Sequence, residues 1–261
     1  MRCAHESRVP RRLISELQYG ECGVISDWKA KWLCEVFREP MSDFFGKTGI
    51  PLMGTMFYTP TVTGELDIVY VDATMAADGK EDGVAAFAAF KLSVQHFKAD
   101  HHWVTIIRWV RTDGAGCYSG LEFTLGMAMM TSADGLPIGG HYIGEGGNNK
   151  NSQDGHFATL GRAVSRQVDS GHQDVDCEAA LAQAITKLGL ANTTAILFTP
   201  DRSFTLKLAP IADLKLMSER IFEKCSDGAT VSLCLRQQTG LGVGKVLKLS
   251  DLLIDDQHSS M

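Results

Sequence analysis

The spacing of apolar residues divides the chain into strand-like runs and helix-like stripes. Val9, Leu13, Ile14 and Leu17 recur at helical spacing behind Arg8, Arg11 and Arg12, and Gly20 closes the stretch, which predicts a helix over 8–19. Three strand-like runs follow. They are Gly23-Val24-Ile25-Ser26-Asp27-Trp28, Ile50 to Tyr58 and Leu66 to Ala73, the last two joined around Thr63-Gly64-Glu65 as a hairpin. Asp82 stands at the N-cap of a helix whose stripe is Phe87, Phe90, Val94 and Phe97. The apolar run Trp103-Val104-Thr105-Ile106-Ile107 then leads through Trp109-Val110 to an abrupt stop at Asp113-Gly114. A second helix is expected from about Tyr118 to Thr131, a short fifth strand from Pro137 to Tyr142, and a third helix carrying Phe157, Leu160, Val164 and Val168 on one face. Beyond it, Leu181, Ile185 and Leu188 mark a helix over 178–188, and Thr194 to Phe198 reads as a strand.

Acids punctuate this pattern at corresponding places. The first strand-like run ends on Asp27, the fourth on Asp113, and Asp154 stands at the mouth of the third helix, three residues before Phe157. Each acid has a plain backbone use. Asp113-Gly114 is a common turn, and Asp154 complements a helix N-terminus. Matching positions at three element ends argue for more than turns, because a carboxylate at the carboxyl end of a central strand serves a ligand or metal above it.

The order strand, strand, strand, helix, strand, helix, strand, helix is that of a ribonuclease H-like α/β domain. Its mixed five-stranded sheet has the order 3-2-1-4-5, flanked by helices. In it the first and fourth strands are neighbours, so Asp27 and Asp113 are expected to converge, with Asp154 joining them from the third helix. Three carboxylates around one crevice are an oxygen donor set suited to two Mg²⁺ or Mn²⁺ ions. Such ions activate the attacking oxygen and stabilise the leaving one at phosphorus. The expected division is a helical arm over 1–20, the catalytic core over 21–170 and an α+β extension over 171–261 packed on the core, with a frayed tail.

Particular phrases carry a family likeness. Ser26-Asp27-Trp28-Lys29-Ala30-Lys31-Trp32-Leu33, Phe45-Gly46-Lys47-Thr48-Gly49-Ile50, Thr112-Asp113-Gly114-Ala115-Gly116-Cys117-Tyr118 and Asp154 entering a helix resemble transposon-derived proteins with integrase-like catalytic domains. Gly171-His172-Gln173-Asp174-Val175 and Gly242-Val243-Gly244-Lys245 extend the likeness over most of 20–250. The resemblance implies an aspartate, aspartate, aspartate/glutamate triad and metal-dependent DNA strand cleavage or transfer. Asn149-Lys150-Asn151-Ser152-Gln153-Asp154 departs from the Gly-Lys-x-x-Cys-Asp-like approach of that family, and Glu145, just after the fifth strand, competes for the third position. Asp154 is preferred because a helix start is stiffer than a glycine loop.

Charge changes this picture in one respect. The net charge is −6, whereas nucleic-acid binders are usually basic, and no zinc module or basic arm is visible. DNA targeting is therefore expected from a missing region or partner, with a homo-oligomer as one possibility. Three functions stay open: a transposase/integrase-type nuclease or strand transferase, a domesticated inactive relative that docks DNA or protein, and a ribonuclease H-like exonuclease or RNase. Seven scattered cysteines with no Cys-x-x-Cys pair suggest a reducing, intracellular setting, nuclear if the host is eukaryotic. No run is long and apolar enough for a bilayer, and the charged start lacks the apolar stretch of a secretory signal.

Other residues carry weaker chemical signals. Thr239 to Val246 lacks the first Gly and the Ser/Thr of a phosphate loop, and Gly144 to Lys150 lacks a Gly before its Lys. His101 and His102 read as strand-edge residues, and Tyr118 and Trp28 as core. His156 could assist proton transfer, and Lys47 and Lys150 could touch phosphates.

Overall fold

The computed structural model describes residues 11–40, 47–76, 79–132, 136–144, 152–203, 210–225, 231–237 and 244–252. The chain folds as strands β1 (Glu21–Trp32), β2 (Ile50–Pro60) and β3 (Leu66–Met75), helix α1 (Gly83–Asp100), strand β4 (Ile106–Thr112), helices α2 (Gly116–Ser119) and α3 (Leu121–Ser132), strand β5 (Gly140–Ile143) and helix α4 (Ser152–Asp169). Helix α5 (Glu178–Leu188) and strands β6 (Thr193–Phe198), β7 (Glu219–Lys224), β8 (Val231–Arg236) and β9 (Lys245–Lys248) follow. Among the described residues no helix is long and apolar enough to cross a membrane.

One mixed sheet holds every strand of the described residues, in the order β6-β3-β2-β1-β4-β5-β7-β8-β9. The expected run 3-2-1-4-5 lies within it, but the sheet has nine strands rather than five. The difference has a physical reason. The outer edges of β3 and β5 offer unpaired backbone groups, and later strands cover them: β6 pairs with β3 in parallel, and β7 pairs with β5 antiparallel.

Two faces of the sheet are buried. Val24, Phe57, Val71 and Val110 pack against Phe90, Phe97 and Phe123 of α1 and α3, with the rings of Phe57 and Phe97 stacked at 4.2 Å. On the opposite face, Leu52 and Trp32 meet Phe157, Leu160 and Val164 of α4 and Leu181 and Ile185 of α5. Ile25, Met56, Tyr58 and Trp109 form a third cluster covered by Leu13, Ile14 and Leu17.

Two expected boundaries move, and both bear on the acids. β1 does not end on Asp27; it continues to Trp32, because its polar half keeps pairing with β2 (Asp27 with Gly54, Trp28 with Met53, Lys29 with Leu52) before a bulge. Its pairing with β4 runs only as far as Ile25 with Arg111. Asp27 therefore lies where β1 outlasts its parallel neighbour, level with the carboxyl end of β4. The expected helix over 118–131 is two helices, divided at Gly120, whose backbone is extended.

Candidate active site

β1 and β4 are adjacent and parallel, and Asp113 follows Arg111 by two residues as Asp27 follows Ile25. The two acids therefore stand at equivalent levels on neighbouring strands. Asp154 lies in the first turn of α4, exposed. Asp113 and Asp154 are each near enough to Asp27 for their charges to act on it. Burial pushes the carboxyl of Asp27 up to about 7, with further increments from the charges of Asp113 and then Asp154. Asp113 also serves its turn, since its Oδ1 accepts from the Ala115 N–H at 2.9 Å. Among the described residues no group of three or more His, Cys, Asp or Glu side chains is arranged to hold a metal ion. Three carboxylates are an oxygen donor set that suits a hard dication.

The wall behind Asp113 is apolar. Tyr118 is fully buried, and burial holds its hydroxyl well above the ordinary range, helped by Cys117, Asp27 and Asp113. The Cys117 thiol is likewise pushed up to about 12, by burial first and then by Asp113. Both side chains are thus protonated at neutral pH, which suits them to exclude water and not to act as bases. Trp28 is partly buried against the main core.

His156 lies inside the protein, not at the crevice. Its Nε2 is 2.7 Å from Oδ2 of Asp72, and its ring stacks on Tyr70 at 4.1 Å. Asp72 is fully buried on β3, and its Oδ1 has no hydrogen-bond partner among the described residues. Gly54 opposes both Asp27 and Asp72 across the sheet, so the two acids share a face about 10 Å apart. Over Gly54 lies the buried side chain of Gln153: a Cβ at residue 54 would sit 1.8 Å from its Nε2 and 2.7 Å from the Phe157 ring. Asp72, Gly54 and Gln153 escape a reading of the sequence by motif. The available signal was one carboxylate inside the apolar run Val69-Tyr70-Val71-Asp72-Ala73.

A second unheralded residue is Arg220 on β7, fully buried. It donates to the carbonyls of Ser119 at 2.8 Å, Tyr118 and Gly120 at 3.4 Å and Leu214 at 3.3 Å, and to the Thr124 hydroxyl. Burial without a carboxylate brings its guanidinium down to about 9. Three of these carbonyls, those of Tyr118, Ser119 and Gly120, lie at the end of α2, and so the buried guanidinium fixes the segment that follows Asp113.

The remaining candidates resolve structurally. His101 caps α1, stacks on Phe97 at 4.3 Å and lies 3.6 Å from Asp67. His102 packs edge-on against Trp103. Lys47 is mostly buried and pairs with Glu39 and the Cys34 carbonyl, so it is not a solvated loop lysine. Glu145, Lys150 and residues 239–243 lie outside the described residues.

Comparison with known proteins adds little to this geometry. No family model matches the chain, and no curated protein does. Among solved structures it is similar to a chain in the cryo-EM structure of a simian T-cell lymphotropic virus intasome in complex with the PP2A regulatory subunit B56 gamma. The identity is 13%, over 89% of this chain and 69% of that one, with a TM-score of 0.40. A likeness of that size carries no functional weight by itself.

Proposed function

We propose that this chain is a metal-dependent polynucleotidyl transferase or nuclease of the transposase/integrase type, with a ribonuclease H-like core, that cleaves or joins DNA phosphodiesters. The observation that carries this reading is the approach of Asp113 and Asp154 to Asp27, whose carboxyl is pushed up to about 7 by burial and by those charges. Nothing in packing calls for three like charges at one crevice, whereas a divalent cation would relieve their repulsion. Asp27 and Asp113 would hold the ions, and Asp154 would complete the site. When bound, Mg²⁺ or Mn²⁺ supplies activation of the attacking oxygen and stabilisation of the leaving one. The chain's own residues orient the strand acids, through the register of β1 and β4, and keep water from the core beside Asp113, through the fully buried Tyr118.

The test is thermal unfolding with and without Mn²⁺, together with incubation on nicked and hairpin DNA. The expected result is a rise in Tm on adding Mn²⁺ that Asp113→Asn abolishes, with metal-dependent cuts in the DNA. An unchanged Tm and uncut DNA would sink the enzyme reading.

A second reading has its own support. Among the described residues the acids form no closed ligand group, and the net charge is −6. A domesticated, inactive module of the same fold that docks DNA or protein would have those features. DNA targeting in either case would come from a region or partner beyond this chain.

A further inference from the structure

We infer that the buried Asp72–His156 pair is a latch that positions Asp154, by locking the first turn of α4 onto β3. The inference rests on the reading of Asp27, Asp113 and Asp154 as a metal site, and it assigns Asp72, His156, Gln153 and Gly54 to the support of that site.

Gln153, His156 and Phe157 stand at i, i+3 and i+4, so one face of the first turn of α4 points at the sheet. Every one of the three meets a specific seat. Gln153 and Phe157 fill the space a side chain at Gly54 would take. His156 stacks on Tyr70 with its ring plane 8° from parallel and bonds to Asp72 at 2.7 Å. These contacts fix the height of the turn above the sheet, its tilt and its rotation about the helix axis. Asp154 follows Gln153 by one residue, about 100° further round the helix, so once the face is docked its direction is determined. That direction brings its charge within reach of Asp27.

The cost of the arrangement points to a purpose beyond packing. A carboxylate fully inside a sheet face is expensive unless paired, and an apolar side chain at residue 72 would bury more cheaply beneath α4. What a hydrogen bond adds over apolar contact is direction. Leu160, Val164 and Val168 hold the later turns of α4 by apolar contact, and the bond from His156 to Asp72 lies close to the turn that carries Asp154. Asp72 and His156 are positioning residues, since neither is at the crevice.

The experiment reads Mn²⁺ affinity by electron paramagnetic resonance of free Mn²⁺ and, in the metal-free protein, hydrogen exchange of the amides at 154–158. Asp72→Ala and His156→Phe are compared with Asp72→Asn; the phenyl ring keeps the stack on Tyr70 and removes Nε2. The expected result is a loss of about tenfold in Mn²⁺ affinity for the first two, with faster exchange in the first turn and unchanged protection at 164–168. Asp72→Asn, which keeps an oxygen acceptor, should restore both readouts to within a few-fold of wild type. The inference is overturned if His156→Phe leaves first-turn exchange at the wild-type rate, or speeds it without weakening Mn²⁺ binding. Should Asp72→Ala fail to fold, His156→Phe and Asp72→Asn still decide. A wild-type protein that binds no Mn²⁺ would remove the metal reading and with it the role assigned to the latch, while slow exchange that depends on His156 would leave the latch itself standing.

Discussion

Nε2 of His156 lies 2.7 Å from Oδ2 of Asp72, with the two side chains 6% and 0% exposed. A pair so enclosed is held together by the penalty for separating it. Removing one partner leaves the other buried without compensation, whereas removing both leaves an apolar seam. Asp72→Leu is therefore expected to cost about 3 kcal/mol in urea unfolding, and the double variant Asp72→Leu/His156→Phe to recover most of that loss. Additive losses in the two single variants and the double would show that the pair does not act as a unit.

Gly54 is the seat that lets α4 approach the sheet. A methyl group there would meet Gln153 Nε2 at 1.8 Å and the Phe157 ring at 2.7 Å, so Gly54→Ala should destabilise the protein by about 2 kcal/mol. Gln153→Ala in the Gly54→Ala background should return part of this, since the nearest clash is with the glutamine. A Gly54→Ala protein as stable as wild type would mean that α4 can rise at no cost.

The acid at Asp27 sets a pH dependence with a definite sign. Its folded pKa of about 7 lies above the unfolded value of 3.8, so the native state binds the proton more tightly. The associated stability is fully present below about pH 4, declines as pH rises, and is lost above about pH 7. Asp27→Asn removes this penalty, and at pH 8 it should raise Tm by about 5 °C, corresponding to on the order of 2 kcal/mol after allowance for partial exposure. At pH 4 the same substitution should change Tm little. Equal effects at both pH values would argue against the raised carboxyl.

Arg220 ties a late strand to the segment after Asp113. Its loss would remove the guanidinium donor from the Tyr118 and Ser119 carbonyls, and Arg220→Ala is expected to cost about 3 kcal/mol. Arg220→Met should cost less, because it keeps the apolar stem. Hydrogen exchange should quicken at 116–121 before it does in β1, and simultaneous loss of protection everywhere would assign Arg220 to global stability alone.

Much of this protein was legible without its structure. Apolar rhythm gives the elements, because a buried face must repeat with the period of its backbone: α5 over Glu178–Leu188, the hairpin of β2 and β3, and α1 behind its cap at Asp82. The cap is seen in the bond from the Ala85 N–H to Asp82 Oδ1 at 3.0 Å. The order of those elements also limited which acids could meet. What periodicity does not carry is pairing. That β1 runs past Asp27 depends on its register with β2, and that four later strands extend the sheet depends on edges whose unpaired groups have no signature in the sequence. Nor could spacing reveal that residue 156 lies on residue 72, since Asp72 and His156 are 84 positions apart and only the docking of α4 over Gly54 joins them. The sequence by itself determined most of the elements and marked Asp27, Asp113 and Asp154 as candidate acids. Tertiary structure alone decided how close those acids come and what holds Asp154 in place, because both depend on contacts made between elements.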